Sequence, residues 1–245
     1  MSQSVSRSTE VLAFNKVTLA PVTLPYGSFG GTFVPRGIVH DSARGRFLVA
    51  NGGANVNIYD ARGQYLSTFN ENVYGPSGAA YDALNGTIWI ANFTGGSGVG
   101  AQFGVAEYNG DGTSAATLNP QVTFLAPQTA AYELPYAIAS CQPQYVAATG
   151  TLGPQHVVVG YFTDNSNRGF PQAAIYTRAG KLVAGLTPAL NGAQQPNSLA
   201  CSSNGTIYVG TNLGLLVYDS AGIVATTPPG LAGLPAPIFA VYATY

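Results

Sequence analysis

The chain has 245 residues, 46% of them hydrophobic, a formal net charge of -1 and only 8% charged residues, against about 25% in an ordinary globular domain. Disorder is excluded, because disordered chains combine low hydrophobicity with high net charge. No nucleic-acid partner is expected, since phosphate affinity needs clustered Lys and Arg and the two lysines, Lys16 and Lys181, stand far apart.

No stretch approaches about 18 consecutive apolar residues, so no membrane insertion is expected. Residues 1–10 lack the apolar region of a signal peptide. A near-neutral, charge-poor surface covered by Gly, Ala, Ser, Thr, Asn, Gln and Tyr tends to associate. Such surfaces are common on virion and cell-surface proteins, and a virion or extracellular location is the expectation.

In chain order, residues 11–15 and 16–20 read as two short strands, with Phe14 and Asn15 standing where Tyr59 and Asp60 stand later. Four similar units follow at 35–70, 76–126, 135–187 and 196–228. Each opens on proline (Pro35, Pro76, Pro135, Pro196), where the missing N–H removes least from a ladder. Each then offers short runs of β-branched and aromatic residues bounded by Gly, Asn and Asp, which predicts four strands per unit. Asn85-Gly86 and Asn204-Gly205 favour the positive φ angles of hairpin turns. A Tyr-x-x-x-Gly frame recurs from Tyr59 to Gly63, Tyr108 to Gly112, Tyr176 to Gly180 and Tyr218 to Gly222. Glycine there suits the left-handed position of a three-residue loop with a bulge.

A fifth opening comes at Pro235. Residues 235–245 and 2–24 therefore read as halves of one unit, with 2–6 the candidate for its missing second strand. Repeats of this period predict a β-propeller: a single all-β domain over 1–245, five-bladed, its last blade closed by N- and C-terminal strands. Closure removes exposed sheet edges. The openings (Pro35, Gly37, Ile38), the second strands ending at Asn51 and Asn92, and the third strand from Ile58 to Gly63 resemble NHL-type propeller repeats. Six blades are commoner for that family and are the alternative count. The family's second strand ends in Ala-Asp where this chain has Asn51 and Asn92.

Propeller ligands usually sit where the connectors enter the first strands and where second strands turn into third strands. The openings contribute Arg36, Ser77, Tyr136 and Asn197; the loops contribute Asn51, Asn92, Asn165, Asn167, Arg168 and Asn212. This set is rich in amides and poor in groups that titrate near neutral pH, which general acid–base catalysis requires. Of the acids, Glu107, Glu133 and Asp164 are those expected near that face. Arg36 has Asp41 as its nearest charge in sequence, and the plain expectation for it is a structural ion pair. Asparagine also favours turns for local reasons.

His40 and His156 read as ordinary strand residues. Cys141 and Cys201 have no metal-site spacing, and two buried free thiols are the leading expectation, a disulfide the alternative. No cofactor or metal is expected. Of the sequons at Asn85, Asn92 and Asn204, two coincide with Asn-Gly turns, so chance and turn chemistry are the expectation ahead of glycosylation. Long inserts at 93–102, 110–121, 142–155 and 164–172 lengthen the second and third units only, and long loops tend to be functional.

These features predict a non-catalytic recognition or assembly module, in contact with protein subunits of a larger particle. A glycan-binding propeller is the first alternative. A metal-dependent lyase or lactonase, known on similar propellers, is the second.

Overall fold

The structure is a computed structural model. It describes residues 35–53, 55–70, 75–92, 104–112, 133–163, 172–187 and 195–226, with 13–15, 20–26 and single positions 18, 29, 73 and 190. The expected strands at 2–6, 122–125 and 235–245 lie outside the described residues.

The described residues are all-β and contain no helix. A short hairpin pairs β1 (Ala13–Phe14) with β2 (Pro21–Val22). The return strand therefore follows residues 16–20 instead of occupying them. Asn15 explains the shift: its Oδ1 accepts from the Thr18 N–H, and its own N–H donates to the Ala20 carbonyl, making 15–20 the turn.

Four antiparallel sheets follow. The first contains β3 (Pro35–Asp41), β4 (Arg46–Asn51), β5 (Asn55–Asp60) and β6 (Tyr65–Phe69). The second contains β7 (Pro76–Asp82), β8 (Thr87–Asn92) and β9 (Gly104–Asn109). The third begins with β10 (Glu133–Cys141). A separate small hairpin, β11 (Tyr145–Val146) with β12 (Thr151–Leu152), then precedes the third sheet's β13 (His156–Thr163), β14 (Ala173–Thr177) and β15 (Leu182–Gly185). The fourth contains β16 (Pro196–Cys201), β17 (Ile207–Thr211) and β18 (Gly214–Tyr218).

The fourth strand expected after Gly222 is reduced to single bridges. Val224 donates to the Thr187 carbonyl of the third sheet while Ala225 donates to Val217 of its own. The segment divides its hydrogen bonds between two sheets.

Within each sheet, successive side chains point to opposite faces, and the second strands are buried on both faces. Ile88 and Ile90 of β8 pack with Leu48, Val56 and Ile58 of the first sheet. Trp89 and Ala91, alternating with them, pack with Val157, Val159 and Tyr176 of the third. Val158 turns the other way, toward Ile207 and Val209 of the fourth. Two-sided burial is why the second strands read as continuous apolar runs. The outer face of the first sheet, Val49 and Tyr59, is covered by Phe29 with Leu24 beside it, and Phe29 meets Tyr59 edge-on at 5.0 Å.

The turn glycines carry the expected backbone. Gly63, Gly112, Gly180 and Gly222 all have φ between 81° and 89°. The Asn-Gly turns differ: only the glycines have positive φ, so neither is a two-residue primed turn. Asp82 drives the first of them into a four-residue loop by accepting from the N–H groups of Leu84 and Asn85.

First strands of successive sheets run against one another, closest where a Cβ on Gly78 would stand 2.9 Å from the Tyr136 carbonyl oxygen. Gly78→Ala is therefore expected to destabilise the protein by about 1–3 kcal/mol, the cost of overpacking against backbone. Gly53→Ala, with open space around its Cβ, is expected to leave the urea midpoint unchanged.

Candidate functional site

The four opening residues share one structural device. Each first strand pairs regularly with its second strand except for one bulge, between Pro35 and Gly37, Pro76 and Gly78, Pro135 and Ala137, and Pro196 and Ser198. The residue skipped in the strand register is Arg36, Ser77, Tyr136 or Asn197. A bulge re-aims its side chain, and four in matching positions gather these residues at one end of the sheets.

Their surroundings differ. Arg36 is exposed, Tyr136 and Asn197 half-buried and Ser77 buried. The Ser77 hydroxyl lies 3.2 Å from the Ala91 carbonyl and 3.1 Å from Pro135 O in the next sheet, so it stitches two sheets. The Asn197 amide nitrogen and the neighbouring Ser198 hydroxyl are buried with no hydrogen-bond partner among the described residues.

The loop asparagines are more structural than expected. Asn51 and Asn92 are buried at 2% and 1% exposure, and Asn51 donates to Asn55 Oδ1 at 2.9 Å. Asn212 accepts from the Gln195 N–H at 2.9 Å, fixing the approach to β16. Asn165, Asn167, Arg168 and Asp164 lie outside the described residues, as does the side chain of Glu133.

Two expectations about charge are corrected. Asp41 does not pair with Arg36, which sits at the opposite end of β3, about 16 Å away along an extended strand. Asp41 instead binds Arg44 at 3.1 Å and Arg46 at 3.0 Å. Glu107 does not approach the bulged end. It faces Trp89 across the β8–β9 ladder, fully buried, and bonds the Arg178 guanidinium and the Thr87 hydroxyl at the other end.

That other end holds a recurring latch. Asp41, Asp82 and Cys141 close matching first strands, and each meets the following sheet. Asp41 lies beside Tyr81, whose hydroxyl is pushed above the ordinary phenol range by burial first and by the Asp41 charge second. Asp82 accepts from Asn85 at 2.8 Å; Asn85 also donates to Gln155 at 2.9 Å, and Gln155 to Ser140 at 3.2 Å. Arg178 stands 3.8 Å from the same Asp82 carboxylate, an ion contact too long for a hydrogen bond.

The third latch is covalent: Cys141 and Cys201 form a disulfide between the third and fourth sheets. Free thiols, the leading expectation, are thus replaced by the alternative. Cys141 points toward the fourth sheet and Cys201 back toward the third, with Cα atoms 5.2 Å apart, inside the range a disulfide spans.

The insert 142–155 leaves from this latch end, opposite the bulges. It is a clamped hairpin and not an open loop. Gln144 donates to the Ser203 carbonyl of the fourth sheet at 3.2 Å, while Gln155 holds the second sheet through Asn85. Residues 93–103 and 164–171 lie outside the described residues, although the strands they connect end at the bulged end. The strands that flank these two segments thus end opposite the insert 142–155.

His156 is the cross-strand neighbour of Cys141, and burial lowers its pKa below the ordinary 6.5. The unfolded chain then binds more protons than the folded one below about pH 6.5, so stability is full above that pH and declines as pH falls through it. His156→Gln is expected to flatten the fall in urea midpoint between about pH 7.5 and 5.5. His40 lies half-buried with its ring 4.9 Å from Phe47, as a packed strand residue.

Among the described residues, no three His, Cys, Asp or Glu side chains converge as a metal centre would require. The chain matches no protein-family model and no curated protein sequence.

Proposed function

We propose that this chain is a five-bladed, NHL-like β-propeller serving as a non-catalytic recognition or assembly module of a virion or cell-surface particle. The ring reading is supported by the first strands, which follow one another in contact in chain order. Phe29 and Leu24 also cover the first sheet where a preceding blade would lie.

The observation that carries the functional reading is the hairpin at 142–155. It contains no charged residue, exposes positions 147–152, and is held by side-chain bonds to both flanking sheets. A rigidly mounted, uncharged projection loses little entropy on docking and carries no charge to desolvate. The acids with described partners support the same reading: Asp41, Asp60, Asp82, Glu107 and Asp219 are all engaged in structural bonds.

Deleting residues 143–153 is expected to abolish partner capture from the native source while the remaining sheets stay folded. Retained capture and assembly would overturn the proposal.

The glycan-binding alternative draws on the unpartnered donors of Asn197 and Ser198 at the bulged end. A glycan array separates it from the leading reading, because sugar binding would survive the hairpin deletion and fail in Asn197→Ala. A metal-dependent lyase or lactonase would be favoured by a stoichiometric metal ion in the purified protein.

A further inference from the structure

Three sequons, Asn85-Gly86-Thr87, Asn92-Phe93-Thr94 and Asn204-Gly205-Thr206, are present, and the structure sorts them. Asn92 is 1% exposed at the end of β8, leaving no path for a sugar. Asn85 is exposed, but both amide hydrogens are used, one toward Asp82 and one toward Gln155 of the next sheet. An N-linked sugar leaves a single N–H, so one bond of this inter-sheet chain would be lost.

Asn204 is different. It sits exposed in the β16–β17 turn, followed by Gly205 at φ 81°. Its Oδ1 accepts from the Thr206 N–H at 3.1 Å and from the Ser202 hydroxyl. The Nδ2 group has no hydrogen-bond acceptor among the described residues. A sugar on Nδ2 would keep both acceptor bonds intact. Three residues upstream, Cys201 is disulfide-bonded, as expected of a chain matured in an oxidising compartment. A charge-poor surface also gains most from a bulky, hydrated substituent.

We infer that Asn204 is an N-glycan acceptor and that Asn85 and Asn92 are not. The donor class is a lipid diphosphate-linked oligosaccharide. The Asn204 Nδ2 forms a bond to the anomeric carbon, the bond from that carbon to the phosphate oxygen breaks, the lipid diphosphate leaves with the electron pair, and the amide gives up one proton.

The test is peptide mapping by mass spectrometry of the full chain directed into a eukaryotic secretory pathway by an added cleavable leader, reading secreted and retained protein alike. One glycan is expected, on the peptide containing Asn204. It should be lost completely in Asn204→Asp, which keeps an acceptor oxygen in the turn, and in Thr206→Ala, and be unchanged in Asn85→Gln. An unmodified wild-type chain, or a glycan on Asn85 that persists in Asn204→Asp, would overturn the assignment.

Discussion

Removing the Cys141–Cys201 disulfide is expected to lower the unfolding free energy by about 4 kcal/mol, the chain-entropy value for a cross-link of this span, since 60 residues separate the two cysteines. For a chain of this size that corresponds to roughly ten degrees in Tm. The double variant Cys141→Ser/Cys201→Ser is the cleaner probe, because it leaves no unpaired thiol. Calorimetry with and without a dithiol reductant should show a drop in the wild type and none in the variant. Hydrogen exchange should rise first in β16, β17 and β18. The other described ties between the third and fourth sheets, the Gln144–Ser203 bond and the two backbone bonds of Thr187 with Gly222 and Val224, are three hydrogen bonds beside a shared apolar core. Equal stability of variant and wild type would mean that this core alone fixes the junction.

A comparable loss is expected from Arg178→Met. Glu107 is fully buried and Asp82 lies 3.8 Å from the same guanidinium. Removing the cation strands a buried carboxylate, which typically costs about 3–5 kcal/mol; the lower figure applies here because Arg178 is partly exposed. Adding Glu107→Gln should recover part of the loss, since the neutral amide no longer needs a counter-charge. Denaturant titration of both single variants and the double variant measures that coupling. Additive losses would place the role of Arg178 in the packing of its stem, not in its charge.

Much of this fold is legible in the sequence because its repeats are marked twice, by apolar strands and by turn residues. The glycines at 63, 112, 180 and 222 need positive φ, and spacing alone reveals that. Relations between sheets are less visible. Aligning the units puts Cys201 with Ser140 and Cys141 one position later, so the cysteines fall out of register and read as unrelated. The faces decide the matter: alternation turns Cys141 forward and Cys201 back, and the two meet.

Asp41 misleads for a similar reason. Arg36 is five positions away along an extended strand, whereas Arg46 lies directly across the hairpin. The bulges were invisible because one unpaired residue leaves no compositional mark, although a proline followed two positions later by Gly37, Gly78, Ala137 or Ser198 is a small-residue signal that accompanies all four. Glu107 looked available because its partner, Arg178, is 71 residues away in sequence.

The proposed assembly role places the docking projection at the clamped hairpin 142–155. A photo-reactive side chain placed at Thr149, in the full chain expressed in its native source, tests this when compared with the same probe at exposed Ser67 on β6. The predicted result is a covalent adduct to one recurring protein from Thr149 and not from Ser67. Equal, diffuse labelling from both positions, with the chain recovered free of any assembly, would contradict it.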